Sequence, residues 1–307
     1  MKAKLKKILF FSCEPGGAEV LIPVIRLVQA QPHWEAIVLG YGHALARFAQ
    51  KDIVCREIEL VPMEDFSLLD HYAPDLLITS ATSLPSVDMS EKYLWRQAKQ
   101  RGIPSLAFLD QWQNYALRFS GKQDHERLAY QPDWINCLNE TGREEMLREG
   151  FDEGSLVAFG HPYLSLVKYD LPALDVAGLR AGLHISAEDK VVLFVSEPIR
   201  EHYGDTRGYD QYQALDYFLS NLANATEPPK ILVKLHPKDN RASFQDLAKK
   251  FATLSPQFIG NELSPLECLA VSDLIFGMSS IMLIEAYVLE KKVASLQKTL
   301  WSYPDTN

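Results

Sequence analysis

The amino-acid sequence predicts an α/β protein made of two parallel-sheet domains facing a cleft. Short apolar, β-branched runs alternate with longer helical patterns through most of the chain. The short runs are continuously apolar, as strands covered on both faces require. The alternation breaks once, over residues 160–184, and then resumes.

In the first half the runs place strands at 7–12, 36–40, 76–80, 105–109, 134–138 and 156–159. Helical patterns lie between or after them at 18–29, 44–50, 91–101 and 140–149. In the second half strands are expected at 191–196, 231–235, 257–259, 274–277 and 293–296, with helices at 211–221, 243–251, 265–271 and 281–290. The break holds Pro162, Pro172 and Gly178 and no strand-length apolar run. We therefore expect a domain over residues 1–165, a connection over 166–184 and a second domain over 185–307.

Bulk properties narrow the class. A length of 307 residues favours two domains over one. The formal net charge of −9 argues against a general nucleic-acid surface but leaves room for a small basic pocket. Cys13, Cys55, Cys137 and Cys268 stand apart without a CxxC pair, and read as reduced thiols of a cytosolic protein. The histidines lack metal-ligand spacing, so no structural metal is expected. The apolar run at 8–11 is too short for a secretion signal or a membrane span. Residues 1–7 carry four lysines, either a solvated start or a loose contact with an anionic membrane.

The densest chemical signals lie in the second half. In KILVKLHPKD (230–239), Pro237 cannot donate to a ladder and ends the strand after His236. A histidine there can donate to a phosphate oxygen, with Lys234 and Lys238 adding positive charge, or act as a structural hydrogen-bonder. In DLIFGMSSIMLIEA (273–286), Gly277 permits a tight turn, and Ser279 and Ser280 stand where helix caps are preferred. The helix that follows is apolar nearly all round, so its N-terminus offers either plain caps or a phosphate site. Glu285 interrupts that run about a turn inside, placed to reach a ribose hydroxyl or to leave the buried face for solvent. Ser196 and Glu197, at the end of the half's first strand, line the same edge or form a turn. Ligands of open parallel sheets bind outside the carboxyl ends of the strands, which makes these ends one candidate phosphate site.

Two segments of the first half face the same question. Gly16 and Gly17 follow the first strand, where glycines permit close approach to a ligand or a plain tight turn. Asp110 follows a strand in FLDQWQNY (108–115), as a general base or as a cap for the next segment. Trp112 and Tyr115 offer flat faces for a sugar ring, or simply belong to the core.

Two Rossmann-like halves, a KLHP strand end and a later Ser-Ser helix start together resemble the GT-B glycosyltransferases. The pairing is similar to the His-Pro and Ser-Ser motifs of bacterial sialyltransferases and Kdo transferases. That resemblance implies a CMP-linked acid sugar as donor and no metal. It implies that His236 binds the donor phosphate and assists the leaving group, and that Ser279 and Ser280 contact the same phosphate. It places the base on an acidic residue of the N-terminal domain. The counterpart here is Asp110 in LDQW, without the second acid and the glycine of that family's segment. Residues 150–163 (GFDEGSLVAFGHPY) resemble the stretch that ends the N-terminal domain of GT-B epimerases and transferases.

The function expected is a metal-independent, cytoplasmic glycosyltransferase, moving a sugar from a nucleotide-activated donor to a glycan or glycolipid. Direct displacement at the anomeric carbon would use Asp110 as base, with His236, Ser279 and Ser280 holding the departing phosphate. The alternatives are a CDP-glycerol-type phosphotransferase, a UDP-sugar 2-epimerase and a non-catalytic nucleotide-sugar-binding protein.

Overall fold

The computed structural model describes residues 5–83 and 85–297. It divides into two compact units, Met1–Leu166 and Val167–Asn307.

Unit 1 holds β1 (Lys6–Ser12), β2 (Trp34–Gly40), β3 (Arg56–Glu57), β4 (Leu76–Thr79), β5 (Ser105–Phe108), β6 (Trp134–Asn136) and β7 (Leu156–Val157). They form one parallel sheet in the order β3-β2-β1-β4-β5-β6-β7. Its helices are α1 (Pro15–Gln29), α2 (His43–Gln50), α3 (Ser67–Tyr72), α4 (Ser90–Arg101), α5 (Tyr115–Arg118) and α6 (Glu140–Arg148). Successive β1 side chains enter opposite cores, as a period of two dictates. Leu9 and Phe11 join Leu77, Trp95 and Phe119 on one face, and Ile8 and Phe10 join Leu21 and Phe48 on the other. Full burial of each such side chain stabilises the fold by about 2 kcal/mol relative to exposure.

The differences from the sequence reading have local causes. Helix α1 starts three residues before the expected residue 18, because Pro15 is set for the first helical position, where its missing N–H costs nothing. Strand β3 escapes detection because it is two exposed charged residues pairing only with Leu39 and Gly40. Three expected strands stop one residue short, at Thr79, Phe108 and Val195, so that Ser80, Leu109 and Ser196 lie at the carboxyl edge.

The unit boundary falls within α7 (Pro162–Asp170). Unit 2 continues with α8 (Val176–Gly182), β8 (Val191–Val195), α9 (Ile199–Tyr203), α10 (Gln211–Leu222), β9 (Lys230–Lys234) and α11 (Gln245–Lys250). It ends with β10 (Gln257–Ile259), α12 (Pro265–Val271), β11 (Leu274–Gly277), α13 (Ile281–Val288) and β12 (Lys292–Ser295). Its parallel sheet runs β10-β9-β8-β11-β12. Residues 176–182, expected within the connection, form α8 and belong to unit 2. Asp175 caps α8 by accepting from the Gly178 amide at 2.9 Å, and Arg180 donates to the Val271 carbonyl at 2.9 Å.

Each sheet has one place where the strand order reverses: between β1 and β4 in unit 1, and between β8 and β11 in unit 2. Such switch points open a crevice at the carboxyl ends of the strands, where ligands of this architecture bind.

Candidate functional site

In unit 2 the switch point gathers most of the residues picked from sequence. Val195 pairs with Lys234 and Phe194 with both Val233 and Phe276, so β9, β8 and β11 end side by side. His236, Glu197 and Ser279 follow those three ends. His236 starts a turn in which the Asp239 amide donates to the His236 carbonyl at 2.9 Å, with Pro237 at the position that favours its fixed φ. The Asp239 carboxylate accepts from the His236 amide at 2.9 Å, and burial pushes its pKa up. The Lys238 amide donates to Nδ1 of His236 at 3.1 Å. That bond assigns the neutral ring's proton to Nε2, which makes Nε2 the donor of the ring.

Across the switch point, Ser280 caps α13, its Oγ accepting from the Met282 amide at 3.3 Å. Ser279 is differently engaged. Its amide donates to Glu197 Oε1 at 2.5 Å and its hydroxyl to Oε2 at 2.8 Å. A carboxylate of the chain itself therefore sits at the start of α13. Glu285 is buried at 4% exposure, which removes the solvent-facing alternative. Gly277 faces Leu283 and the Val195 carbonyl, each at 3.2 Å from where a Cβ would stand.

Two residues expected at this edge have other surroundings. Lys234 is buried, and its ammonium donates to the carbonyls of Gly260 and Leu263, the latter at 2.9 Å, bracing the loop after β10. Ser196 is buried, its amide donating to the Lys234 carbonyl at 2.9 Å and its hydroxyl lying beside Asp239.

In unit 1 the carboxyl edge is polar and nearly closed. The Ser12 and Ser80 hydroxyls meet at 2.8 Å across the switch point. Glu91, at 0% exposure, accepts from the Ser80 hydroxyl and the Thr82 amide, which leaves Ser80 as the acceptor from Ser12. Burial raises the Glu91 carboxyl to about 7, against the lowering effect of those two bonds and of Lys92. Lys92 is itself fully buried, donates to the Thr82 carbonyl at 3.2 Å, and has its pKa lowered by burial. Asp88 stands near Cys13, whose thiol burial pushes up strongly.

Asp110 lies two residues past β5, with its carboxylate 18% exposed. Oδ1 accepts from Nη1 of the buried Arg118 at 2.7 Å. The same guanidinium binds the Ala81 carbonyl, and its Nε donates to the Gln113 carbonyl at 3.1 Å. His161 accepts from the Leu164 amide on Nδ1, so its Nε2 donates to the Asp110 carbonyl at 3.2 Å, while Trp112 stacks on the ring. Burial lowers the His161 pKa. Asp110 does not cap α5, whose N-cap position is Asn114. Tyr115 is buried in the core.

The glycines meet protein rather than open space. Both lie inside the first turn of α1, not in a loop. A Cβ on Gly16 would strike the Asp110 carboxylate, and one on Gly17 would strike Ser80 and Ser12. The sequence reading missed Glu91, Lys92, Arg118 and Asp239. A signal existed for Glu91, three and four residues before Leu94 and Trp95 and so on the apolar face of α4. Nothing in the sequence marked Arg118.

Among the described residues no group of three or more His, Cys, Asp and Glu is placed to hold a metal, and no helix is long and apolar enough to cross a membrane. The membrane contact expected of the lysine-rich start rests partly on residues 1–4, outside the described residues.

No protein-family model and no curated protein sequence matches the chain. Solved structures do. UDP-GlcNAc 2-epimerase from Neisseria meningitidis, bound to UDP-GlcNAc, matches with a TM-score of 0.67 at 15% identity, over 94% of this chain and 82% of that one. A glycosyltransferase from Rickettsia africae gives 0.63 at 12% identity, over 97% and 82%. Anabaena HepE in complex with UDP and glucose gives 0.59 at 14% identity, over 98% and 83%. Identity this low establishes the fold: two parallel-sheet α/β domains of the GT-B kind. The nucleotides named in these complexes are uridine nucleotides, and nothing in the likeness singles out the CMP-sugar enzymes.

Proposed function

We propose that this chain is an enzyme of nucleotide-sugar chemistry, a UDP-sugar 2-epimerase, that holds the nucleotide through unit 2. One observation carries the nucleotide assignment: His236, with Nε2 set as a donor, follows β9 beside the switch point at which Ser279, Ser280 and α13 begin. In this reading His236 Nε2–H supports the phosphate oxygen as the anomeric carbon–oxygen bond breaks. Ser280 and the first α13 amides hold the phosphate, and Glu285 accepts a ribose hydroxyl. The epimerase assignment is supported by the GT-B neighbours, several of which are UDP-GlcNAc 2-epimerases. It replaces the CMP-sugar donor of the sequence reading.

Inversion at C2 needs a base that takes the C2 proton as the anomeric carbon–oxygen bond breaks. A proton then returns to the opposite face of C2 as the phosphate oxygen adds back to C1, so that the bond broken is reformed. Of the carboxylates at the unit 1 edge, Glu91 and Asp88 are buried, while Asp110 after β5 and Glu14 after β1 are partly open. Asp110 is the one held in place by an ion pair with the buried Arg118. We assign the base to Asp110. That same residue supports a second reading, glycosyl transfer, because one open carboxylate suffices to deprotonate an acceptor hydroxyl.

Incubating the protein with UDP-GlcNAc alone and following the sugar by NMR tests the proposal. A C2 epimer without any acceptor supports it. Sugar transfer to an added acceptor, with no epimer, moves the assignment to a transferase. Binding without turnover across donors and acceptors leaves a nucleotide-sugar-binding protein. His236→Ala and Asp110→Asn should each lower turnover about a hundredfold or more.

A further inference from the structure

Glu197 presents its carboxylate to the amide and hydroxyl of Ser279, at 2.5 and 2.8 Å. It follows the central strand of the three that end at the switch point. A phosphate bound at the start of α13 competes with this group for the same two donors, and its charge has the same sign. Unlike Glu91, Glu197 is only half-buried, so solvent is available to receive it.

We infer that Glu197 is a specificity-determining residue of the nucleotide site, screening ligands by the charge of the phosphate they bring. The inference rests on the nucleotide-sugar reading above. In a nucleotide sugar the phosphate that bears the sugar is linked on both sides, to the sugar and to the neighbouring phosphate, and carries one negative charge. The terminal phosphate of a free nucleoside diphosphate carries about two above its second pKa, near 6. Like charges close together in a partly desolvated site repel strongly, and repulsion is a common way to reject a competitor. Glu197 thus admits the sugar ester and disfavours the free nucleoside diphosphate.

The test is the affinity of the full-length protein for UDP and for UDP-GlcNAc, measured by titration calorimetry at pH 8. Glu197→Gln keeps the size and one acceptor for Ser279 but removes the charge. It should tighten UDP about tenfold, equivalent to about 1.4 kcal/mol, and UDP-GlcNAc by about threefold or less. Glu197→Asp keeps the charge and should keep the wild-type ratio. The wild-type protein supplies an arm that needs no variant: at pH 5.5 the terminal phosphate loses charge, and UDP should gain on UDP-GlcNAc. Equal tightening of both ligands, weaker UDP binding by Glu197→Gln, or a pH-independent ratio overturns the charge screen and leaves the nucleotide reading standing. Absence of binding by either nucleotide to every protein overturns that reading and the inference with it.

Discussion

The two switch points are built alike and filled differently. Each has a carboxylate set against small donors: Glu91 against Ser80 and Thr82 in unit 1, Glu197 against Ser279 in unit 2. Glu91 comes from inside a helix, is fully buried, and stands over serines already bonded to each other at 2.8 Å. Glu197 comes from a strand end and is half-buried. The first carboxylate completes a scaffold, because removing it strands donors that water cannot reach. The second closes a crevice with one side chain that can leave. Position at a switch point therefore does not by itself make a ligand site; what distinguishes the two is whether the occupant can be exchanged.

The largest expected effect breaks the scaffold side of this comparison. Glu91→Ala leaves the Ser80 hydroxyl and the Thr82 amide without their acceptor and Lys92 without its neighbouring charge, and should cost about 3–4 kcal/mol. Glu197→Ala should cost about 1 kcal/mol, because the freed Ser279 groups can meet water. Urea unfolding of the two variants measures the difference, and equal losses would erase the distinction. Glu91 also gives the scaffold a pH signature. Its folded-state carboxyl is raised from 4.5 to about 7 by burial, so the folded protein holds this proton more tightly than the unfolded chain. Stability linked to it is fully present below pH 4.5 and declines as pH rises to about 7. Glu91→Gln should remove that decline, and a slope unchanged by the substitution would assign it to other groups.

Much of this was legible in the sequence, for identifiable reasons. Strands such as β1 and β9 are continuously apolar, so their existence and carboxyl ends follow from the pattern, and with them the edge that carries His236 and Ser280. The partners were not legible. That Glu197 reaches Ser279, 82 residues away, depends on β8 and β11 being neighbours, which is a property of strand order. Lys234 looked like a charge beside His236, but the loop after β10 supplies the carbonyls that take its ammonium. Gly16 and Gly17 promised room for a ligand because a glycine pair marks close approach without saying what approaches.

A smaller effect separates the glycines of the two units. Gly17→Ala forces a methyl into Ser80 and Ser12, both buried and mutually bonded, and should cost about 2 kcal/mol. Gly277→Ala meets Leu283, whose end can shift, and the Val195 carbonyl, which is backbone, both at 3.2 Å rather than 2.4 Å, and should cost about 1 kcal/mol. Thermal unfolding distinguishes them, and the reverse order would show unit 1 to be the more yielding of the two.

The smallest stability effect sharpens the account of unit 2. Ser280→Ala removes the N-cap of α13 and should cost about 1 kcal/mol. Ser279→Ala removes only the hydroxyl contact to Glu197, keeps the amide contact, and should cost about half as much. Binding should follow a different pattern. Loss of either hydroxyl weakens UDP-GlcNAc, but Ser279→Ala also loosens the competing carboxylate, so its net loss should be the smaller of the two. Affinity and melting temperature measured on the same two variants check this. If Ser279→Ala instead weakens UDP-GlcNAc more than Ser280→Ala does, the Ser279 hydroxyl serves the ligand more than it serves Glu197.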